Sequence, residues 1–247
     1  MKHFVIIGAT SAIAEYCARL WVQKTPVLLT LVGRDITRTQ NVASDLRVHS
    51  PKSDVTVITT DFINPKAISE TVNTIQNKAP VDVVLIAHGI LSQQSKCQED
   101  LLDCYDSLQV NGVSPVLFAE AFALHMSKKN HGTIAFISSV AGDRGRASNY
   151  VYGGAKGLVS RYAQGMQHRF AGTKIKVIVI KPGPTDTPMT RELTANGKKL
   201  ASVESVASDI VIGIEAGKEI IYTPSIWKYV MLLIIHLPSF IFNKLKI

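Results

Sequence analysis

The chain has 247 residues, 46% of them apolar and 19% charged, enough for one large core or two small ones. That composition excludes a disordered chain, and with 16 Gly and 10 Pro it excludes a collagen-like or low-complexity one. The net charge of +8 sits on no recognisable nucleic-acid module, so no nucleic-acid partner is expected.

Cys17, Cys97 and Cys104 are an odd number with no CxxC between them. Neither a disulfide framework nor a cysteine metal site is expected, and a reducing cytoplasm is the default. Met1 runs straight into an apolar stretch with no visible signal peptide.

In chain order, nearly continuous apolar runs at His3–Ala9, Val27–Gly33, Val55–Asp61, Val81–Gly89, Gly132–Ser138, Ile175–Pro182 and Glu219–Thr223 predict strands covered on both faces. Helical spacing predicts helices over Ile13–Gln23, Pro65–Asn77, Leu101–Lys128, Val151–Phe170 and Val203–Ala216. The alternation predicts an α/β fold with one doubly wound, parallel, seven-stranded sheet over residues 1–223, followed by a tail over 224–247.

The first strand feeds Gly8-Ala9-Thr10-Ser11-Ala12-Ile13-Ala14. A tight small-residue turn into a helix N-terminus suits a dinucleotide pyrophosphate, although an ordinary βα turn has the same look. The second strand ends Gly33-Arg34-Asp35, where Arg34 offers a cation for a ribose 2′-phosphate or is merely solvated. Asp61, followed by Phe62, either caps the next helix or contacts adenine. Tyr152 and Lys156 share a helix face, which places an ammonium beside a phenol and is expected to lower the phenol pKa from about 10. Tyr152 is then a candidate general acid for a carbonyl oxygen, and Ser139 a candidate hydrogen-bond partner of the same oxygen.

With these residues, the chain resembles a classical short-chain dehydrogenase/reductase to about Thr223. The matches are the GATSAIA turn, Asp61, Ala87-His88-Gly89, Asn111, Ser139, Tyr152, Lys156 and Pro182-Gly183 with Thr187. The resemblance implies a Rossmann-type fold in which Tyr152 protonates the substrate oxygen and Ser139 orients it. Lys156 would bind the nicotinamide ribose, Asn111 would support a water relay, and Thr187 would hold the carboxamide. Gly8, Thr10, Ser11, Ile13, Arg34, Asp61, Phe62, Ala87, Gly89 and Pro182 would complete the cofactor contacts, with NADPH favoured over NADH because of Arg34. The family is usually dimeric or tetrameric. Ala12 and Ala14 depart from its second and third glycines, and His88 replaces an alanine bordering the nicotinamide, which makes it a candidate substrate contact.

NYVYGGAK, KPGPTDTPM and the stretch after Gly217 further resemble the keto-reductase subunits of decaprenylphosphoryl-β-D-ribose 2′-epimerases. That likeness implies reduction of a keto-sugar on a polyprenyl phosphate, supplied by a separate flavin oxidase partner, in cell-envelope biosynthesis. Arg144 and Arg146 are candidate phosphate ligands or a structural pair. The alternatives are a reductase of another hydrophobic carbonyl (fatty-acyl, steroid or quinone-like) and a non-catalytic dinucleotide-sensing or membrane-docked subunit.

The tail has no carboxylate after Glu219. Its uncharged run from Tyr229 to Asn243 is too short to span a bilayer, and Pro238 should break its helix. Trp227, Val230, Met231, Leu233, Ile234 and Leu237 are expected to form an apolar face lying in a membrane surface, with Lys228, Lys244 and Lys246 toward anionic headgroups. This predicts a peripheral protein on the inner face of the cell membrane. A helix packed between subunits is the alternative.

Overall fold

The computed structural model describes residues 1–191 and 200–245. Strands β1 (His3–Ile7), β2 (Leu28–Gly33), β3 (Asp54–Thr59), β4 (Val83–Ile86), β5 (Gly132–Ile137), β6 (Ile175–Pro182) and β7 (Ile220–Thr223) form one sheet. Its order is β3-β2-β1-β4-β5-β6-β7, and every pairing is parallel. All seven apolar runs are strands: β6 has the expected bounds, β3 begins one residue earlier at Asp54, and β1, β3, β4 and β5 end sooner than expected, where the chain turns toward the site. Parallel neighbours require crossovers, and the crossover helices cover both faces of the sheet.

Helices α1 (Ala12–Lys24), α2 (Ile36–His49) and α8 (Val203–Glu215) cover one face, where Trp21, Leu46 and Ile210 pack on Ile6 and Leu31. Helices α3 (Pro65–Lys78), α6 (Ser114–Lys129) and α7 (Tyr150–Arg169) cover the other, where Ile75, Phe118, Phe122 and Met166 pack on Ile7 and Val32. Successive strand residues thus feed opposite cores. Each fully buried large side chain contributes roughly 1.5–3 kcal/mol relative to exposure.

Three expectations change. Helix α2 is missing from the sequence reading because its only buried residues are Thr39, Val42, Ala43 and Leu46, too few for a clear apolar stripe. The helix expected over Leu101–Lys128 is instead α5 (Leu101–Leu108), a π-helical segment (Gln109–Val113) and α6, preceded by the short α4 (Gln94–Glu99). The i→i+5 pattern shows in the Ser114 N–H donating to the Gln109 carbonyl.

The tail forms α9 (Ile226–His236) and α10 (Ser239–Phe242), separated as expected at Pro238. The face assigned to lipid is corrected. Met231 is fully buried, and Trp227, Val230 and Ile234 are half-buried against the body of the protein. Ile226, Tyr229, Leu232, Leu233 and Ile235 are the exposed large apolar residues of α9, so of the face assigned to lipid only Leu233 is exposed. The helix is apolar nearly all round, so periodicity alone selects no face. Lys246 lies outside the described residues. Among those described, no helix is long and apolar enough to cross a membrane.

Candidate active site

The sheet order reverses direction between β1 and β4, which opens a crevice at the C-terminal ends of these strands. A cavity of about 500 Å³ lies there, within the range of small-molecule sites. Gly8, Thr10, Ser11, Ile13, Arg34, Phe62, Ala87, His88, Gly89, Ser139, Arg146, Tyr152, Lys156, Pro182 and Thr187 all line it. Asp61, Asn111 and Arg144 do not.

The first turn fits a dinucleotide. Gly8 has φ +89°, and an added Cβ would lie 2.6 Å from the His88 backbone nitrogen, so only glycine serves here. Gly8 and Ala9 N–H groups both donate to the Val32 carbonyl, which pins the turn to β2. Helix α1 begins at Ala12, so its N-terminal N–H groups and positive dipole end face the cavity. The two departures from glycine are harmless in volume: Ala12 lines the cavity and Ala14 is buried in the core.

At the β2 end the cavity wall holds two arginines, Arg34 and Arg38. The Asp35 carboxylate accepts the Arg38 N–H and caps α2 at 3.0 Å. Neither guanidinium has an ion-pair partner among the described residues. Arg38 escaped the sequence reading together with its helix, although Asp35 just ahead of the helix is a legible N-cap signal. Asp61 accepts the Ile63 N–H at 2.9 Å in a local turn, while Asn64 caps α3. Asp61 therefore neither caps the helix nor reaches the cavity wall.

The reacting end is assembled by close backbone packing. Ser139 leaves β5 in extended conformation, and its Oγ accepts the Ala141 N–H at 3.1 Å, capping the 3-10 turn Val140–Gly142. That turn lies directly on α7: a Cβ on Gly142 would sit 2.7 Å from the Lys156 carbonyl carbon, and one on Gly153 would sit 2.8 Å from the Ala141 oxygen. The contact brings Ser139 to Tyr152. Lys156 Nζ lies 5.8 Å from the Tyr152 ring centre and donates to the Ile137 carbonyl at 3.1 Å.

Asn111, fully buried in the π segment, donates from Nδ2 to the Ser107 carbonyl at 3.0 Å and accepts the Ile90 N–H on Oδ1 at 2.9 Å. It sits behind the wall rather than in it. Gly89 separates Asn111 Oδ1 from Lys156 Nζ, since a Cβ there would lie 2.8 Å from the first and 3.5 Å from the second.

The electrostatics correct one expectation. Burial pushes the Tyr152 hydroxyl up to about 12, although its hydrogen bond with Ser139 acts the other way. Burial also brings Lys156 down to about 8. Desolvation dominates at both groups, so Tyr152 is a held proton donor rather than a preformed phenolate.

His88 lines the cavity. Its ring packs edge-on against Phe62 and Phe118, and its Nε2 shares a 2.8 Å hydrogen bond with Ser114 Oγ. Burial foremost, with Lys156 and Arg34 adding repulsion, brings it down to about 3. It is a neutral imidazole in the cavity floor.

The two loop arginines part company. Arg144 Nη1 donates to the Ile234, Ile235 and Leu237 carbonyls of the tail, and its guanidinium covers the Phe242 ring. It is therefore a structural residue away from the cavity. Arg146 stays in the wall, with Nη2 against Met231 Sδ at 3.4 Å and a buried Nε without a partner. Near it lies a cluster the sequence reading missed: Lys181 and Tyr222 both donate to the buried carboxylate of Asp143. The three residues are far apart in sequence and carry no motif.

The family model for short chain dehydrogenase matches residues 2–198. An uncharacterized oxidoreductase from the mprA 5′ region of Streptomyces coelicolor is 26% identical over 246 residues, covering 100% of this chain and 96% of its own. An uncharacterized oxidoreductase of Staphylococcus aureus is 28% identical over 221 residues, 89% of this chain and 93% of its own. Among solved structures, a short-chain dehydrogenase from Sphingobium yanoikuyae in complex with NADPH superposes with a TM-score of 0.83 at 19% identity, covering 97% of each chain. A bulky-bulky ketone specific alcohol dehydrogenase from Comamonas testosteroni superposes at 0.80 with 21% identity, covering 97% of this chain and 96% of that one. The chain belongs to the short-chain dehydrogenase family and is an NAD(P)-dependent oxidoreductase.

Proposed function

We propose that this chain reduces the carbonyl of a keto-sugar carried on a polyprenyl phosphate, using NADPH in preference to NADH, at a membrane surface. The observation that carries the anionic substrate is Arg146. It is a cation in the cavity wall that has, among the described residues, no hydrogen-bond partner for its buried Nε and a thioether sulfur at Nη2, and burial lowers its pKa. A phosphate oxygen would supply the missing acceptor in charge-assisted geometry. Arg34 and Arg38 support the choice of NADPH, because together they offer a 2′-phosphate two cations without an ion-pair partner among the described residues.

Bound at the first turn, the cofactor supplies the hydride. The chain's own residues do the rest. The Ser139 hydroxyl donates a hydrogen bond to the carbonyl oxygen and fixes its direction. Tyr152 donates the proton to that oxygen as negative charge develops on it. Lys156, on the Ile137 carbonyl and close to the ring, stabilises the phenolate left behind. Asn111 holds the backbone at Ile90, beside Lys156, where a water relay for the proton would pass.

The tail supports membrane attachment through a different face from the one the spacing suggests. Ile226, Tyr229, Leu232, Leu233, Phe240 and Ile241 are exposed, near Lys228 and Lys244 and with no carboxylate on the segment. We read residues 1–223 as the reductase domain and 224–247 as its membrane-seeking tail. Exposed Leu101, Leu102 and Tyr105 on α5 support a homo-oligomer. A second reading, reduction of a bulky uncharged ketone, is favoured by the apolar wall of Ile90, Leu91, Val110, Val140 and Met189.

The test supplies NADPH or NADH with a polyprenylphosphoryl 2-keto-pentose made in vesicles by a flavin oxidase, and follows the lipid by mass spectrometry. The expected product gains two hydrogens, faster with NADPH. Turnover of uncharged ketones with none of the lipid overturns the proposal.

A further inference from the structure

The segment from Ser139 to Asn149 is gripped from two sides. On the inner side, Asp143 is buried against β6 and β7. Lys181 Nζ donates to its Oδ1 at 2.5 Å and Tyr222 OH to its Oδ2 at 2.8 Å. This grip fixes the start of the segment and involves no residue of the tail. On the outer side, Arg144 Nη1 lies 2.6, 3.1 and 2.6 Å from the carbonyls of Ile234, Ile235 and Leu237. Its guanidinium also rests 3.8 Å from the centre of the Phe242 ring. Those carbonyls belong to the end of α9, where a helix has unpaired acceptors and the negative end of its dipole.

Past Asp143 the segment has few other holds. A Cβ on Gly145 would meet nothing within 4 Å. Among the described residues, the one hydrogen bond of Arg146 runs to Met231 Sδ, again on α9. Asn149 Oδ1 is buried without a partner. Yet Arg146 and Asn149 both line the cavity, and Asn149 leads directly into the helix that carries Tyr152. The opposite end of α9 is seated on the site's other flank. Trp227 packs so closely on Gly183 that a Cβ there would collide with its indole nitrogen, and Gly183 follows the cavity residue Pro182.

We propose that Arg144 is a positioning residue that ties the seated tail to the cavity wall formed by residues 144–149. With α9 in place, Arg144 holds the stretch that presents Arg146 and Asn149 to the substrate. With α9 displaced, that stretch loses its outer support while Asp143 still anchors Ser139. Tail seating therefore acts on substrate binding more than on proton transfer or dinucleotide binding. The inference rests on the proposed function only in naming Arg146 as a substrate contact.

The test measures amide exchange in the full-length, NADPH-loaded protein for Arg144→Gln, Arg144→Lys and Trp227→Ala. Arg144→Gln should speed exchange of residues 144–149 and 226–237 together, by at least about fivefold, as expected for loss of a charge-assisted hydrogen bond. Residues 8–13 should stay as in wild type. Arg144→Lys, which keeps a donor for the carbonyls, should restore most of the protection. Trp227→Ala, which loosens α9 from its far end, should reproduce the effect without touching Arg144. Faster exchange in 226–237 with 144–149 unchanged, in either Arg144→Gln or Trp227→Ala, overturns the coupling, as does no change in either segment in Arg144→Gln. With the lipid-linked keto-sugar, Arg144→Gln should raise KM and leave kcat nearly unchanged. If wild type does not reduce that lipid, the functional reading falls while the exchange result still decides this one.

Discussion

Gly153 and Gly154 stand side by side on α7, and replacing each with alanine separates close packing from helix propensity. In a helix interior alanine is about 0.8–1 kcal/mol better than glycine. A Cβ on Gly154 would meet nothing within 4 Å, so Gly154→Ala should realise the whole gain. A Cβ on Gly153 would lie 2.8 Å from the Ala141 carbonyl oxygen, which belongs to the turn capped by Ser139. Backbone cannot swing aside as a side chain can, and overpacking of this kind costs about 1–3 kcal/mol. The balance for Gly153→Ala then runs from about zero to roughly 2 kcal/mol of destabilisation. At this chain length 1 kcal/mol moves the melting temperature by about 2–4 °C. Gly154→Ala should therefore melt a few degrees above wild type, and Gly153→Ala at or below it. The shift forced on Ala141 also moves Ser139 relative to Tyr152, so kcat for any ketone the wild type reduces should drop in Gly153→Ala and hold in Gly154→Ala. Thermal unfolding followed by circular dichroism, with initial rates on the same samples, decides the matter. If both variants gain the same stability and keep full kcat, the turn does not position Ser139.

Tyr152→Phe should lose at least about 10²-fold in kcat, the lower range for removal of a general acid, while NADPH titration by fluorescence gives an unchanged Kd. Near-normal turnover would remove Tyr152 from the mechanism. Arg34→Asp should reverse a wild-type preference for NADPH, and Arg38→Asp should weaken it, read as the ratio of kcat/KM for the two cofactors; equal ratios in wild type would show that neither arginine reads the 2′-phosphate. His88 in the fold titrates near 3 rather than 6.5, so its contribution to stability is complete above about 6.5 and is lost as pH falls from there toward 3. The slope is at most about 1.4 kcal/mol per pH unit. Urea unfolding of His88→Asn through the acid range should show a shallower fall than wild type, and an unchanged slope would mean that His88 is not the buried base.

The sheet was readable because its inner strands are buried on both faces and so appear as unbroken apolar runs; the four β4 residues Val83–Ile86 are all buried, whereas the edge strand β3 is only partly so. Ser139, Tyr152 and Lys156 were readable because strand end and helix spacing bring them together. Arg34 could be placed at a strand end, whereas Arg38 required a helix whose exposed surface hides its stripe. Arg144 and Arg146 look alike in sequence and differ because the end of α9 offers carbonyls to the first, while the second meets the Met231 sulfur and stays in the cavity wall. Asp143, Lys181 and Tyr222 come from three separate elements, and their pairing is a property of sheet order rather than of any local pattern. The tail shows the limit most clearly: where nearly every position is apolar, a hydrophobic period carries no information about which side is covered.

The π-helical segment has a consequence for how such a site is recorded in a sequence. Ser107, Asn111, Pro115 and Ala119 are all buried and spaced by four, a step that over-rotates an α-helix by about 40° each time. Three such steps in a regular helix would swing the line about 120° off the core. The one wide turn at Gln109–Val113 absorbs most of that lag, as a leap day does in a calendar. Asn111 stands on the inserted turn itself, with its amide on the Ser107 carbonyl. Ser107 is the one buried residue of α5, so the shift leaves no periodic trace before Gln109 and the asparagine carries no motif of its own. A single-residue deletion between Gln109 and Val113 would restore a regular helix and turn everything upstream, including the exposed face of α5, by about 100°.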